Sequence, residues 1–225
     1  MKFEIESHEG SENVDIPVRK LIIAGWAGRN QAAIEHHIVE LEALGIKRPT
    51  STPLFYRVSA SRLSPCHVLE NSGPDSSGEV EYFLIRHSGK TYVGAASDHT
   101  DRKAEAIDVT LSKQMCDKPC ASKLWPLAEV LPHWDRLLLS SRITENGEAV
   151  TYQEGGIKNL LHPDELLSKM SGYETIEDGT VLLGGTLPVI GSIRPASRFE
   201  YQLYDPVLKR TIASSYDVQV MPVRA

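Results

Sequence analysis

The apolar positions change period along the chain, and the changes mark out its elements. KFEIE near the start alternates polar and apolar residues, and RKLIIAGW is a short apolar run closed by Gly25, so both predict strands. A helical period follows. Asn30 is a candidate N-cap, Ile34, Ile38, Leu41 and Leu44 recur at spacings of four, three and three, and Gly45 stands in the usual C-terminal position. From Pro53 to Gly94 short alternating segments are separated by turn signals such as SGPDSSG and RHSGK, which predicts strands and hairpins. Val109 to Trp125 fits neither period cleanly. Pro126 to Val130 and Pro163 to Met170 predict short helices, and DRLLLSSRITENGEAVTYQEG predicts two strands joined at Asn146-Gly147. TVLLGGTLPVIG, RFEYQLYD and RTIASSYDVQV add strands at the end. The strands do not alternate with crossover helices, so the pattern disfavours a doubly wound parallel sheet and points to a β-rich α+β domain with a rolled or sandwiched sheet.

Composition narrows the class. A chain of 225 residues suits a single domain spanning 1–225, with residues 1–50 as a small strand-and-helix lobe. The hydrophobic fraction of 41% and charged fraction of 24% are those of an ordinary globular protein. A net charge of -6 argues against a nucleic-acid partner, because a phosphate-backbone binder displays a basic face. No apolar run approaches the roughly 20 residues of a membrane helix, and the polar, acidic MKFEIESHEGSENV is no signal peptide, so a cytoplasmic location is expected. Cys66, Cys116 and Cys120 cannot all pair within the chain, and the CxxxC spacing of the last two has no second ligand pair nearby to complete a zinc site.

The chemistry concentrates in one stretch. Glu79-Val80-Glu81 lies inside a strand signal, where a period of two sends both carboxylates to one face. Side by side they repel, and a bridging cation removes that penalty. Alternating acids on a solvated strand face are the commoner meaning of ExE alone. Asp98 follows just beyond the next strand signal, KTYVGAA, and pairing of the two strands would bring it to the glutamates. Three hard oxygen donors suit Mg²⁺ or Mn²⁺, which retain water and accept further oxygens from a substrate.

With these residues in view, the chain resembles the fumarylacetoacetate hydrolase-like superfamily, in order, from about Gly25 to Thr211. SGEVEYFLI resembles the family's GEVELAVVI strand, SDHTDRKAE its NDVSARDLQ loop, and TIEDGTVLLGGTLPVIG its TLEPGDVILTGTPAGVG. GRNQAAIEHHIVEL followed by PLFYRVSAS is similar to GRNYADHVxEM followed by FLKPSTA, with a few additional residues before the histidine. The chain departs from the pattern at Ser97 (Asn in the family), at His99-Thr100-Asp101 (Val-Ser-Ala), at Glu105 (Gln) and at Arg57 (Lys). These departures bear on substrate identity more than on metal binding.

The resemblance implies a rolled mixed β-sandwich of the type of the family's C-terminal domain, with a few peripheral helices, assembled as a homodimer. It implies metal ligands at Glu79, Glu81 and Asp98 for Mg²⁺ or Mn²⁺, and substrate contacts at Arg57, Arg102, Glu105 and Thr186, the last to a substrate carboxylate. Lys113 resembles the lysine of the family's AKSFD segment, although its spacing from Asp98 is shorter than usual. On the helix, His37 and Glu40 form HxxE one turn apart on the shoulder of the apolar stripe, matching the pair that activates water in the family, with His36 as the competing register. The expected reaction is metal-dependent hydrolysis of a carbon–carbon bond in a 2-oxo acid or 1,3-dicarbonyl acid such as an acylpyruvate. The same site can instead decarboxylate, isomerise or hydrate a 2-oxo acid. A protein of another class, binding a small carboxylate without turnover, is the rival.

Overall fold

The structure is a computed structural model that describes residues 1–43 and 48–224, without the side chains of Ala33, His37, Glu40, Leu41 and Ala43. Two sheets dominate it. The larger has eight strands in the order Gly10–Asp15, Lys2–Ser7, Lys123–Pro126, Lys90–Ser97, Val80–His87, Thr180–Thr186, Lys20–Gly25 and Leu54–Val58. The smaller has five, in the order Glu148–Gly156, Leu138–Glu145, Arg198–Asp205, Arg210–Met221 and Val68–Ser72. Most pairs are antiparallel, but Lys2–Ser7 with Lys123–Pro126, Lys20–Gly25 with Thr180–Thr186, and Arg210–Met221 with Val68–Ser72 run parallel. The result is a mixed, β-rich α+β fold whose first three strands lie within the eight-stranded sheet.

Period-two patterning explains the layers. Along Val80–His87, Val80, Tyr82 and Leu84 face a core shared with Leu139, Tyr152, Phe199, Leu203 and Tyr216 of the five-stranded sheet, while Phe83 and Ile85 face a second core with Phe3, Ile5, Leu21 and Val181. Full burial of each such side chain contributes about 1.5–3 kcal/mol. Tyr82 meets Trp134 edge-on, with centroids 5.1 Å apart, and its hydroxyl donates to the Leu161 carbonyl at 3.2 Å.

The predicted turns form as their residues demand. Asn146 and Gly147 both take positive φ between Leu138–Glu145 and Glu148–Gly156, as do Ser88 and Gly89 between Val80–His87 and Lys90–Ser97. The predicted helix spans Gln31–Ala43, with Ile38 buried; its expected end at Leu44 and Gly45 lies outside the described residues. Val109 to Trp125 resolves into a helix, Val109–Met115, capped by Asp108, and the strand Lys123–Pro126. Further helices are Leu127–Val130 and Pro163–Ser171. Among the described residues no helix is long and apolar enough to cross a membrane.

Candidate metal centre

The paired strands Val80–His87 and Lys90–Ser97 set the register of the site. Val80 lies opposite Ser97 and Glu81 opposite Ala96, and the Asp98 N–H continues the ladder to the Glu79 carbonyl at 2.9 Å. Glu79 and Asp98 are therefore cross-strand neighbours, and Glu81 is diagonal to Asp98. The carboxylate oxygens of Glu79, Glu81 and Asp98 lie within 4.8 Å of one another. Glu81 and Asp98 are buried and Glu79 is partly so.

A third strand closes on them through the paired glycines of GGT. Between Leu183, opposite Phe83, and Thr186, opposite Glu81, Thr180–Thr186 carries an extra residue. At Gly184 a Cβ would stand 2.0 Å from the Tyr82 ring, and Gly185 has φ +96°. The bulge turns the Gly185 N–H onto Glu81 Oε2 at 2.8 Å, so these glycines serve the carboxylate directly.

Electrostatics distinguishes the acids. Burial, and then the Asp98 charge, pushes Glu81 well above the ordinary carboxylate range. Burial acts on Asp98 in the same direction, but the Lys113 and Lys118 ammonium groups outweigh it and hold Asp98 low. Lys113 Nζ pairs with Asp98 Oδ2, and Lys118 Nζ lies 3.3 Å from Oδ1 while donating to the carbonyls of His99 (2.7 Å) and Cys116 (3.0 Å). Like-charged carboxylates crowded out of water, one of them driven toward its neutral form, are what a divalent cation relieves, and hard oxygens are the donors it accepts. The three acids can hold a divalent metal.

The loop beyond Asp98 is tied down on both sides. Thr100–Asp101 pairs with Ser76–Ser77, and Lys118–Pro119 runs parallel to Leu63–Ser64. Asp101 caps the short helix Arg102–Glu105 through the Ala104 N–H, which gives that acid a structural use. Arg102 then spans the rim: Nε donates to Ser77 Oγ at 2.7 Å, Nη1 to Glu105 Oε2 at 2.9 Å, and Nη2 stands 3.2 Å from Glu79 Oε1. Thr186 donates to the Val80 carbonyl and accepts from Gln153 Nε2, each at 2.8 Å.

The DUF2848 family, described as "Protein of unknown function (DUF2848)", matches residues 24–216. The chain belongs to this family. No curated protein matches this DUF2848 chain in sequence. Among solved structures it is similar to Cg1458 (12% identity, TM-score 0.62, covering 95% of this chain and 81% of that one). It is also similar to 2-keto-3-deoxy-D-arabinonate dehydratase in its apo form (13% identity, TM-score 0.65, 96% and 78% covered), and to that enzyme complexed with magnesium and 2,5-dioxopentanoate (15% identity, TM-score 0.62, 95% and 78%). At such identities the likeness is one of fold.

The structure brings together Glu79, Glu81, Asp98, Arg102, Glu105 and Lys113, with Thr186 beside Glu81. It does not bring Arg57 to them. That guanidinium lies 3.8 Å from Glu174 and reaches the carbonyls of Leu21 and Val58. Its neighbour Tyr56 is the residue near the cluster, with Lys113 Nζ 5.8 Å from its ring centroid. The side chains of His37 and Glu40 lie outside the described residues. Lys118 and Tyr56 are not among the residues predicted from sequence; the short spacing from Asp98 to Lys113 is the one signal in the chain that leaves room for a second lysine.

Proposed function

We propose that this DUF2848 chain is a divalent-cation-dependent enzyme of the fumarylacetoacetate hydrolase-like superfamily, acting on a 2-oxo acid through an enolate. The observation that carries the proposal is the convergence of three buried or half-buried carboxylates with two lysines on Asp98. Glu79, Glu81 and Asp98 would hold Mg²⁺ or Mn²⁺, which when bound supplies Lewis-acid polarisation of a 2-oxo carbonyl. Lys113, the more peripheral of the two lysines, would donate a hydrogen bond to the oxygen that becomes negative. Arg102 would orient a substrate carboxylate, with Glu105 fixing the guanidinium, and Thr186 would join it by turning its hydroxyl away from the Val80 carbonyl.

The leading subtype is hydrolysis of a carbon–carbon bond in an acylpyruvate-like acid, with His37 removing a proton from water and Glu40 orienting its ring. The second is loss of water or carbon dioxide from a 2-oxo acid. It is favoured by Lys113 and Lys118 on Asp98, which serve an enolate whether or not water attacks, and by the fold shared with a 2-keto-3-deoxy-D-arabinonate dehydratase. Cytoplasmic location and a homodimer belong to the same proposal, the latter checked by light scattering.

The test is to incubate the full chain with acylpyruvates, oxaloacetate, 2-hydroxydienoates and 2-keto-3-deoxy-arabinonate, with Mg²⁺ or Mn²⁺ or with EDTA, and to follow enol absorbance and products. Turnover by at least one acid, abolished by EDTA, is expected. Cation binding without turnover of any would favour the carboxylate-binding protein instead. For the hydrolase, His37→Ala is expected to lower turnover by about 10²- to 10⁴-fold with cation affinity unchanged, and Glu40→Gln to lower it less. The same loss from His36→Ala alone would move the base by one residue, and indifference to both histidines would select the lyase.

A further inference from the structure

A chain of buried polar side chains runs behind the carboxylates, on the opposite face of the strand. Asn71 Nδ2 donates to Ser76 Oγ at 2.8 Å and lies 3.0 Å from His99 Nε2. The amide is a donor, so Nε2 accepts and the ring proton sits on Nδ1, which faces the Tyr216 hydroxyl at 2.8 Å. The Tyr216 hydroxyl shares a hydrogen bond with Ser97 Oγ at 2.8 Å, and Ser97 Oγ also receives the Glu79 N–H at 3.3 Å. Asn71, Ser76, Ser97, His99 and Tyr216 are all buried. Tyr216 itself is gripped by Phe199 and Tyr201 at centroid distances of 5.6 and 6.3 Å.

The two side chains that flank Asp98, those of Ser97 and His99, thus both end on one phenol of the five-stranded sheet, and the same network reaches the backbone of Glu79. A cation site requires its ligands within about 0.5 Å of the productive geometry, and residues behind the ligands supply that precision.

We propose that Tyr216, acting through Ser97 and His99, is a positioning residue for the cation ligands Asp98 and Glu79. The inference rests on the cation site proposed above. The test compares the full-length chain with Tyr216→Phe, which keeps the packed ring and removes only the hydroxyl, and with Ser97→Ala, a smaller change should the first variant fail to fold. Mn²⁺ affinity is read by calorimetry, and the symmetry of the bound ion by its electron paramagnetic resonance spectrum. Weakening of Mn²⁺ binding by about tenfold or more, with a broadened spectrum from a more variable ligand field, is the expected result. Affinity and spectrum equal to the parent's in a folded variant, with only the melting temperature lowered, would reduce the network to a stabilising role and overturn the inference. A parent chain that binds no Mn²⁺ would overturn the cation site itself and this inference with it.

Discussion

Asp98 and Asp205 are both fully buried aspartates at strand ends, yet they are satisfied in opposite ways. Asp205 accepts from the backbone N–H groups of Val207 and Leu208 at 2.9 and 3.1 Å and from His133 Nε2 at 3.0 Å, with Arg210 at 3.7 Å. Fixed donors close a turn around it. Asp98 receives the ends of two lysines and the Thr100 hydroxyl, and stands among Glu79 and Glu81. A carboxylate saturated by backbone organises local structure. One held by long, flexible ammonium side chains among like charges can exchange a partner for a ligand.

That contrast predicts different consequences of substitution. Glu81→Ala has the largest expected effect: loss of measurable cation binding and of turnover together, with a circular dichroism spectrum close to the parent's. Retained cation binding would erase the distinction between the two regions. Asp205→Ala is expected to lower stability by about 3 kcal/mol in denaturant unfolding, because its buried donors are left unpaired, while Mn²⁺ affinity stays at the parent's value. A shift of cation affinity in that variant would mean that the regions are coupled. Arg102→Lys keeps the charge but loses the fork that joins Ser77, Glu105 and Glu79, and is expected to raise the Michaelis constant by about tenfold. An unchanged constant would confine Arg102 to ordering its own loop.

The parts of this picture visible in sequence were those governed by short-range rules. Period two placed Glu79 and Glu81 on one face, and Asn146-Gly147 marked its hairpin, because both depend on neighbours in the chain. Arg57 shows the limit. In PLFYRVS the tyrosine and the arginine occupy opposite faces, and only the register of Leu54–Val58 against Lys20–Gly25 decides which one meets the cluster. Lys118 was hidden for a different reason: its place is set by a two-residue parallel pairing with Leu63–Ser64, too short to leave a pattern. The Tyr216 network joins residues far apart in sequence through side-chain hydrogen bonds, which no periodicity encodes.

Glu79, Glu81 and Asp98 are proposed as a cation site, in contrast to an ion cluster already balanced by Arg102, Lys113 and Lys118. Calorimetric titration of the full chain with Mn²⁺, repeated in buffers of different ionisation enthalpy, addresses it most directly. One ion bound per chain with release of protons is expected, because burial and the Asp98 charge hold Glu81 toward its neutral form until the cation arrives. A chain that takes up no Mn²⁺, or one in which Glu81→Gln leaves both stoichiometry and proton release unchanged, would contradict it.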